Sequence, residues 1–202
     1  MKNVFEFLSD PDMPVVVCES MNFIYIRNSR TASTSLYRHL LQKQLRVETL
    51  NSKEDPDGFK VWLKQLDRSK WDGYYKFSGI RNPWDRIVSV YHYIVKNRYK
   101  IPFAEYVNNI RKYDSDKNLF EHRKPCSVNT HFKKQPMLDF LYRFEHINQD
   151  FAVIAKRIGI KQRLPRKNAT QHMHYRKYYD AKTRAIVGKL LAVDVKNYNY
   201  KY

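Results

Sequence analysis

An apolar run, Phe23-Ile-Tyr-Ile26, stops at Arg27, and the chain then enters Asn28-Ser-Arg-Thr-Ala-Ser-Thr-Ser35, a stretch rich in hydroxyls and without glycine. Leu36, Leu40 and Leu41 follow at helical spacing, which predicts a helix over Thr34–Gln44. A buried strand feeding a helix this way leaves the amides of Thr31–Ser35 at the positive end of the helix dipole, where an anion is favoured. Arg30 adds a forked cation, and Ser33, Thr34 and Ser35 add hydroxyl donors. The same residues also suit an ordinary Ser/Thr-capped surface helix, and local sequence does not choose between the two. The glycines and lysine of G-x-x-x-x-G-K-[ST] are absent, which disfavours a magnesium-dependent kinase or NTPase.

The rest of the chain alternates strand and helix patterns. Strands are expected at Phe23–Arg27, Arg46–Leu50, Tyr75–Ile80 and within Met137–Phe144. Helices are expected at Gly58–Leu66, after Asn82, near Phe103–Lys112, at Asn148–Ile158 with Gly159 as its stop, and from Asp180 to about Tyr198. Such alternation predicts an α/β layered domain with a mainly parallel sheet, and 202 residues suit a single domain spanning 1–202.

A second constellation is Gly79-Ile-Arg-Asn-Pro-Trp-Asp-Arg-Ile-Val-Ser-Val-Tyr91. Arg81 stands where a strand ends, the ligand-facing edge of an open α/β sheet. Asn82 caps the next helix, Pro83 occupies its first turn, and Ser89 lies two turns in. Taken alone, the motif favours the plainer reading, with Ser89 a helix-face serine and Arg81 a surface cation.

Lys+Arg 38 against Asp+Glu 20 gives a net charge of +18, which attracts polyanions: nucleic acid, anionic lipid, nucleotide or acidic polysaccharide. Hydrophobic residues at 43% and aromatics at 15% exclude a disordered chain. Two cysteines provide no disulfide framework, which fits a reducing compartment. Neither a signal-peptide core nor a run of about 20 apolar residues is present, so a cytoplasmic protein without a membrane span is expected.

Taken in order, "RTASTS" and "FSGIRNPWDRIVSVYHY" resemble the sulfotransferase superfamily, closest to its carbohydrate members of the heparan 2-O and chondroitin/dermatan types. "KWDGYYKF", "THFKKQPMLDFLYRFEHINQDF", "LPRKNAT" and the C-terminal "HYRKYYDAKTRAIVGKLLAVDVKNYNYKY" extend the resemblance from about Phe23 to the end, more weakly over Leu45–Ser69. The resemblance implies a P-loop-NTPase-like three-layer fold, with a central mainly parallel sheet flanked by helices. It implies 3′-phosphoadenosine 5′-phosphosulfate (PAPS) as donor, 3′-phosphoadenosine 5′-phosphate (PAP) as product, and no metal. Arg30, Thr31, Ala32, Ser33, Thr34 and Ser35 would hold the phosphosulfate, Arg81 and Ser89 the 3′-phosphate, and Arg166 and Lys167 would close over the nucleotide. The family usually carries lysine where Arg30 stands. Arginine stabilises the leaving-group charge but cannot act as an acid at neutral pH, so Arg30 is expected to be an electrostatic clamp.

An acceptor hydroxyl needs a general base. Relatives place a histidine between the two motifs; here that interval holds only His39, on the first helix. Asp57 and Glu54 in the loop "NSKEDPDG" are the first candidates and His131 the main competitor, with solvated turn residues an equal reading of the carboxylates. A saccharide is the expected acceptor, with no specific nucleic-acid partner. A bacterial or viral source fits the lack of an anchor; acceptor position and oligomeric state stay open. A nucleic-acid-binding protein and a P-loop-like small-molecule kinase are the competing readings. No helix-turn-helix, zinc or RNA-recognition motif supports the first, and the missing phosphate-loop lysine weighs against the second.

Overall fold

The computed structural model describes residues 8, 14–40, 50–51, 56–132, 134–161, 164 and 173–202. Along the chain these form β1 (Val15–Cys18), β2 (Phe23–Ile26), α1 (Ser33–Leu40), β3 (Leu50–Asn51), α2 (Pro56–Lys64), α3 (Arg68–Gly73) and β4 (Tyr75–Ile80). Then come α4 (Pro83–Val90), α5 (Phe103–Asn108), α6 (Lys117–Arg123), β5 (His131–Phe132), β6 (Gln135–Pro136), β7 (Phe140–Arg143), α7 (Ile147–Ile158), α8 (Ala181–Leu190) and α9 (Ala192–Asn197). They fall into two compact units, one of residues 1–28, 32–80 and 128–167, the other of 29–31, 81–127 and 168–202.

The first unit is α/β. Its sheet has the order β3-β1-β2-β4-β7; β2, β4 and β7 pair in parallel, while β1 is antiparallel to both β2 and β3. Four of the five strands therefore point the same way. Every residue of β1 and β2 is buried, as a strand covered on both faces requires. Alternation sends Val15, Val17, Ile24 and Ile26 to a core with Leu63 of α2 and Trp71 of α3. Val16, Phe23, Tyr25 and Phe77 go to another, with Leu36 and Leu40 of α1 and Phe151, Ile154 and Ile158 of α7. Strand β1 is absent from the sequence expectation: four apolar residues beside a proline and a glutamate carry no periodicity. The expected Arg46–Leu50 strand appears only at Leu50–Asn51, residues 41–49 lying outside the described ones.

Gly79 of β4 is required by its neighbour on β7. Gly79 and Tyr142 are register partners, and a Cβ at Gly79 would stand 2.2 Å from Tyr142 Cζ. Across this spot the buried hydroxyls of Tyr25 and Tyr142 share a 2.8 Å hydrogen bond, and Tyr25 stacks on Phe77 at 4.8 Å. Burial, with Tyr142 adding to it, holds the Tyr25 phenol well above its ordinary value, so Tyr25 stays neutral.

The second unit is helical. Asn82 caps α4 by accepting the amides of Trp84 and Asp85 at 3.1 and 3.4 Å. The helix then widens into a π-helical turn, Tyr91–Val95, before Lys96–Arg98. Ile87, Val88, Tyr91, Ile94 and Val95 pack with Phe103, Tyr106, Val187 and Leu191. Trp84 belongs to this core, its Nε1 donating to the Arg184 carbonyl at 2.9 Å. Arg86 is also buried: Nη2 donates to the carbonyl of Lys124 at 2.6 Å and lies 3.8 Å from Asp194, which accepts the amides of Cys126 and Ser127 at 2.7 and 2.9 Å. The single helix expected after Asp180 breaks at Leu191, and the α9 segment carries Asp194 to those amides.

Gly79→Ala is expected to cost about 3 kcal/mol, the upper range for overpacking a core. In a Tyr142→Ala background the same change should cost almost nothing. Chemical denaturation of the four chains checks this, and additive losses would refute the clash.

Candidate active site

In the second unit the structure brings Arg30, Arg81 and Ser89 together. Arg81 is 6% exposed, its Nε donating to Asp85 Oδ2 at 2.8 Å and its Nη1 to the backbone carbonyl of Arg30 at 3.1 Å. Arg30 Nε donates to Ser89 Oγ at 3.0 Å, and its guanidinium lies 4.1 Å from the ring centre of Tyr93. Ser89 and Tyr93 are four residues apart along α4 and its π turn, which sets both beside the same guanidinium. Burial, with the positive charge of Arg81 adding to it, pulls Arg30 below its ordinary value. Asp85 is engaged by Arg81, and no carboxylate pairs with Arg30 among the described residues. The cluster therefore carries positive charge that an incoming anion would relieve.

The loop before α1 takes two left-handed residues, Arg30 with φ 64° and Ala32 with φ 63°. Neither is glycine, so each carries a steric cost of roughly 1–2 kcal/mol, the kind of strain found where a backbone is held for a purpose. The Arg81 donor on the Arg30 carbonyl is one of the groups that hold it.

In the first unit the helix end is built as the sequence suggested. The first helical bond runs from Leu36 N to Ala32 O at 3.0 Å, so the amides of Ser33, Thr34 and Ser35 stand at the open end of α1. Thr34 is exposed and Ser33 buried. Arg27 lies 4.4 Å over the Tyr37 ring and donates to Thr34 Oγ1 at 3.4 Å. Just past β2, Asn28 Nδ2 donates to Ser78 Oγ and Gly79 O at 3.1 and 2.9 Å, while its Oδ1 accepts from Asn129 at 3.0 Å. These contacts fix the strand ends from which the loop departs.

Two further sequence-predicted residues belong to the first unit. Asp57, 90% exposed in the first turn of α2, pairs with Lys60 at 3.1 Å. His131, on the β5–β6 hairpin, shares a 2.8 Å hydrogen bond between its Nδ1 and Thr130 Oγ1. Glu54, Arg166 and Lys167 lie outside the described residues. Two shallow hollows of about 320 and 410 Å³ open in the first unit around Lys70 and Lys76; no predicted site residue lines either. Sequence reasoning missed Tyr93, although its spacing from Ser89 could have found it. It also missed His122 on α6, whose ring stacks against Tyr93 with centroids 5.5 Å apart. No local signal marks His122. Among the described residues no group of three or more His, Cys, Asp or Glu could hold a metal ion, and no helix is long and apolar enough to cross a membrane.

The sequence model of the sulfotransferase family matches residues 13–201. The chain belongs to that family and is a transferase of sulfuryl groups. An uncharacterised protein of Archaeoglobus fulgidus is 28% identical over 122 residues, covering 58% of this chain and 97% of that protein. No solved structure matches.

Ala32→Gly should stabilise the chain by about 0.5–1 kcal/mol, because relief of the left-handed penalty exceeds the added freedom of the unfolded chain. A lower denaturation midpoint for this variant would show that the loop's strain is not located there.

Proposed function

We propose that the chain transfers the sulfuryl group of PAPS to a hydroxyl of an acidic saccharide by in-line displacement. The observation that carries the reading is the pair Arg30 and Arg81: the Arg81 guanidinium holds the Arg30 backbone carbonyl and is paired with Asp85, while no carboxylate pairs with Arg30 among the described residues. The second support is the resemblance of "RTASTS" and "RNPWDRIVS" to the carbohydrate sulfotransferases.

In this reading Arg30 and the amides and hydroxyls of Thr31–Ser35 hold the 5′-phosphosulfate, while Arg81 and Ser89 take the 3′-phosphate. PAPS supplies an activated sulfuryl group on a phosphate leaving group. Arg30 faces the oxygen that bridges sulfur and phosphate, where negative charge grows as the bond breaks. A cation fixed there before the reaction stabilises that charge without reorganisation. Because Arg30 keeps its proton, it acts by charge alone. The acidic saccharide is inferred from the net charge of +18 and from the heparan- and chondroitin-type resemblance.

Isothermal titration with PAP and with ADP tests the donor assignment. PAP is expected to bind at least about tenfold more tightly than ADP, since only PAP carries the 3′-phosphate. Arg81→Ala should weaken PAP by about 10–100-fold, the loss of one charge-assisted contact, and should leave ADP little changed. Equal affinity for the two nucleotides, or an Arg81→Ala variant with unaltered PAP affinity, would sink the assignment.

A further inference from the structure

We infer that His122 is the general base that takes the proton of the acceptor hydroxyl, and this rests on the reading of Arg30 as the leaving-group clamp. Tyr93 carries Arg30 at 4.1 Å and His122 at 5.5 Å between ring centres, with the two rings within 25° of parallel. The imidazole and the clamp thus border the same aromatic ring, the imidazole no farther from the guanidinium than those two contacts laid end to end. Tyr93 itself lies in the π-helical turn, a rare distortion that recurs at functional sites.

The ring is poised in the right form. His122 Nδ1 lies 2.9 Å from the Asn118 carbonyl, which can only accept, so the neutral ring carries its proton on Nδ1 and its lone pair on Nε2. No protein group hydrogen-bonds Nε2 among the described residues. The charged and titratable groups facing the ring are Arg30, Arg86, Glu121 and the Tyr93 phenol, and Glu121 is taken up by Lys124 at 2.6 Å. Burial foremost, with the charges of Arg30 and Arg86, lowers the histidine below its ordinary 6.5, although Asn118 and Glu121 act the other way. A base kept neutral at physiological pH results. His92, the histidine on α4's π turn, shares a 2.8 Å hydrogen bond between its Nε2 and Tyr178 Oη. Asp57 is solvated and paired with Lys60.

The acceptor O–H gives its proton to Nε2 while its oxygen attacks sulfur; the bond from sulfur to the 5′-phosphate oxygen breaks, and its electron pair leaves on PAP. The imidazolium then returns the proton to solvent.

Two measurements on the full chain test this. In nitrogen-edited NMR the His122 ring should titrate below 6.5, and added PAP should move that titration upward, since a phosphate beside Arg30 favours the imidazolium. His122→Asn, whose amide replaces Nδ1 toward Asn118 but offers nothing at Nε2, should bind PAP within twofold of wild type. Its release of PAP from PAPS, with a chondroitin oligosaccharide or water as acceptor, should fall about 100-fold or more and lose its acidic limb. His122→Gln should fall equally. A purely structural histidine would instead be rescued by the asparagine, and that result overturns the proposal. So does a His122 titration indifferent to bound PAP. Wild type that binds no PAP overturns the donor reading, and this proposal with it.

Discussion

Two like charges held together organise the second unit. Arg81 is fixed by Asp85 and by the Arg30 carbonyl, and Arg30 is fixed by Ser89 and Tyr93. Burial first, and then repulsion between the guanidinium groups, opposes this arrangement, and together they set Arg30 below its ordinary value. The left-handed backbone at Arg30, the cap at Asn82 and the turn of the helix at Tyr91–Val95 all serve to keep the two cations where they repel.

The motif Arg81–Tyr91 divides its labour along the helix. Arg81, Ser89 and, just beyond it, Tyr93 surround Arg30, whereas Asn82, Trp84 and Arg86 build the unit. Arg86 is the more instructive of the two kinds of arginine. Buried at 1% exposure, it holds the carbonyls of Arg123 and Lys124 and faces Asp194, which in turn closes the amides of Cys126 and Ser127. Removing one partner of such a pair leaves an uncompensated interior charge, a loss of about 3–5 kcal/mol. This network also holds the chain just after His122 in place.

The parts legible in the sequence were those with local signals. The β2–loop–α1 order, strand β4, the Asn82 cap, and the Gly159 stop, whose φ of 79° suits glycine, all follow from patterns within a few residues. Strand β1 was not legible, because its place in the sheet is set by β2 and β3 and not by its own composition. The need for glycine at position 79 lies in Tyr142, more than sixty residues away, and no pattern in "FSGIRNP" announces it. Of the side chains that cluster around Arg30, Arg81 and Ser89 were singled out by motif. His122 was not, since its neighbour Tyr93 is on another helix and a lone histidine after "NLFE" carries no spacing.

The alanine at position 32 has one more consequence. A glycine there would adopt the left-handed turn easily, but it would also leave it easily, and the loop would have to be stiffened each time an anion arrived. A methyl group makes the turn costly, so it is the surrounding contacts, among them the Arg81 donor on the Arg30 carbonyl, and not local preference that hold the loop. On the proposed reading, contacts made on folding set the donors in place, and a phosphosulfate would lose less affinity to their ordering.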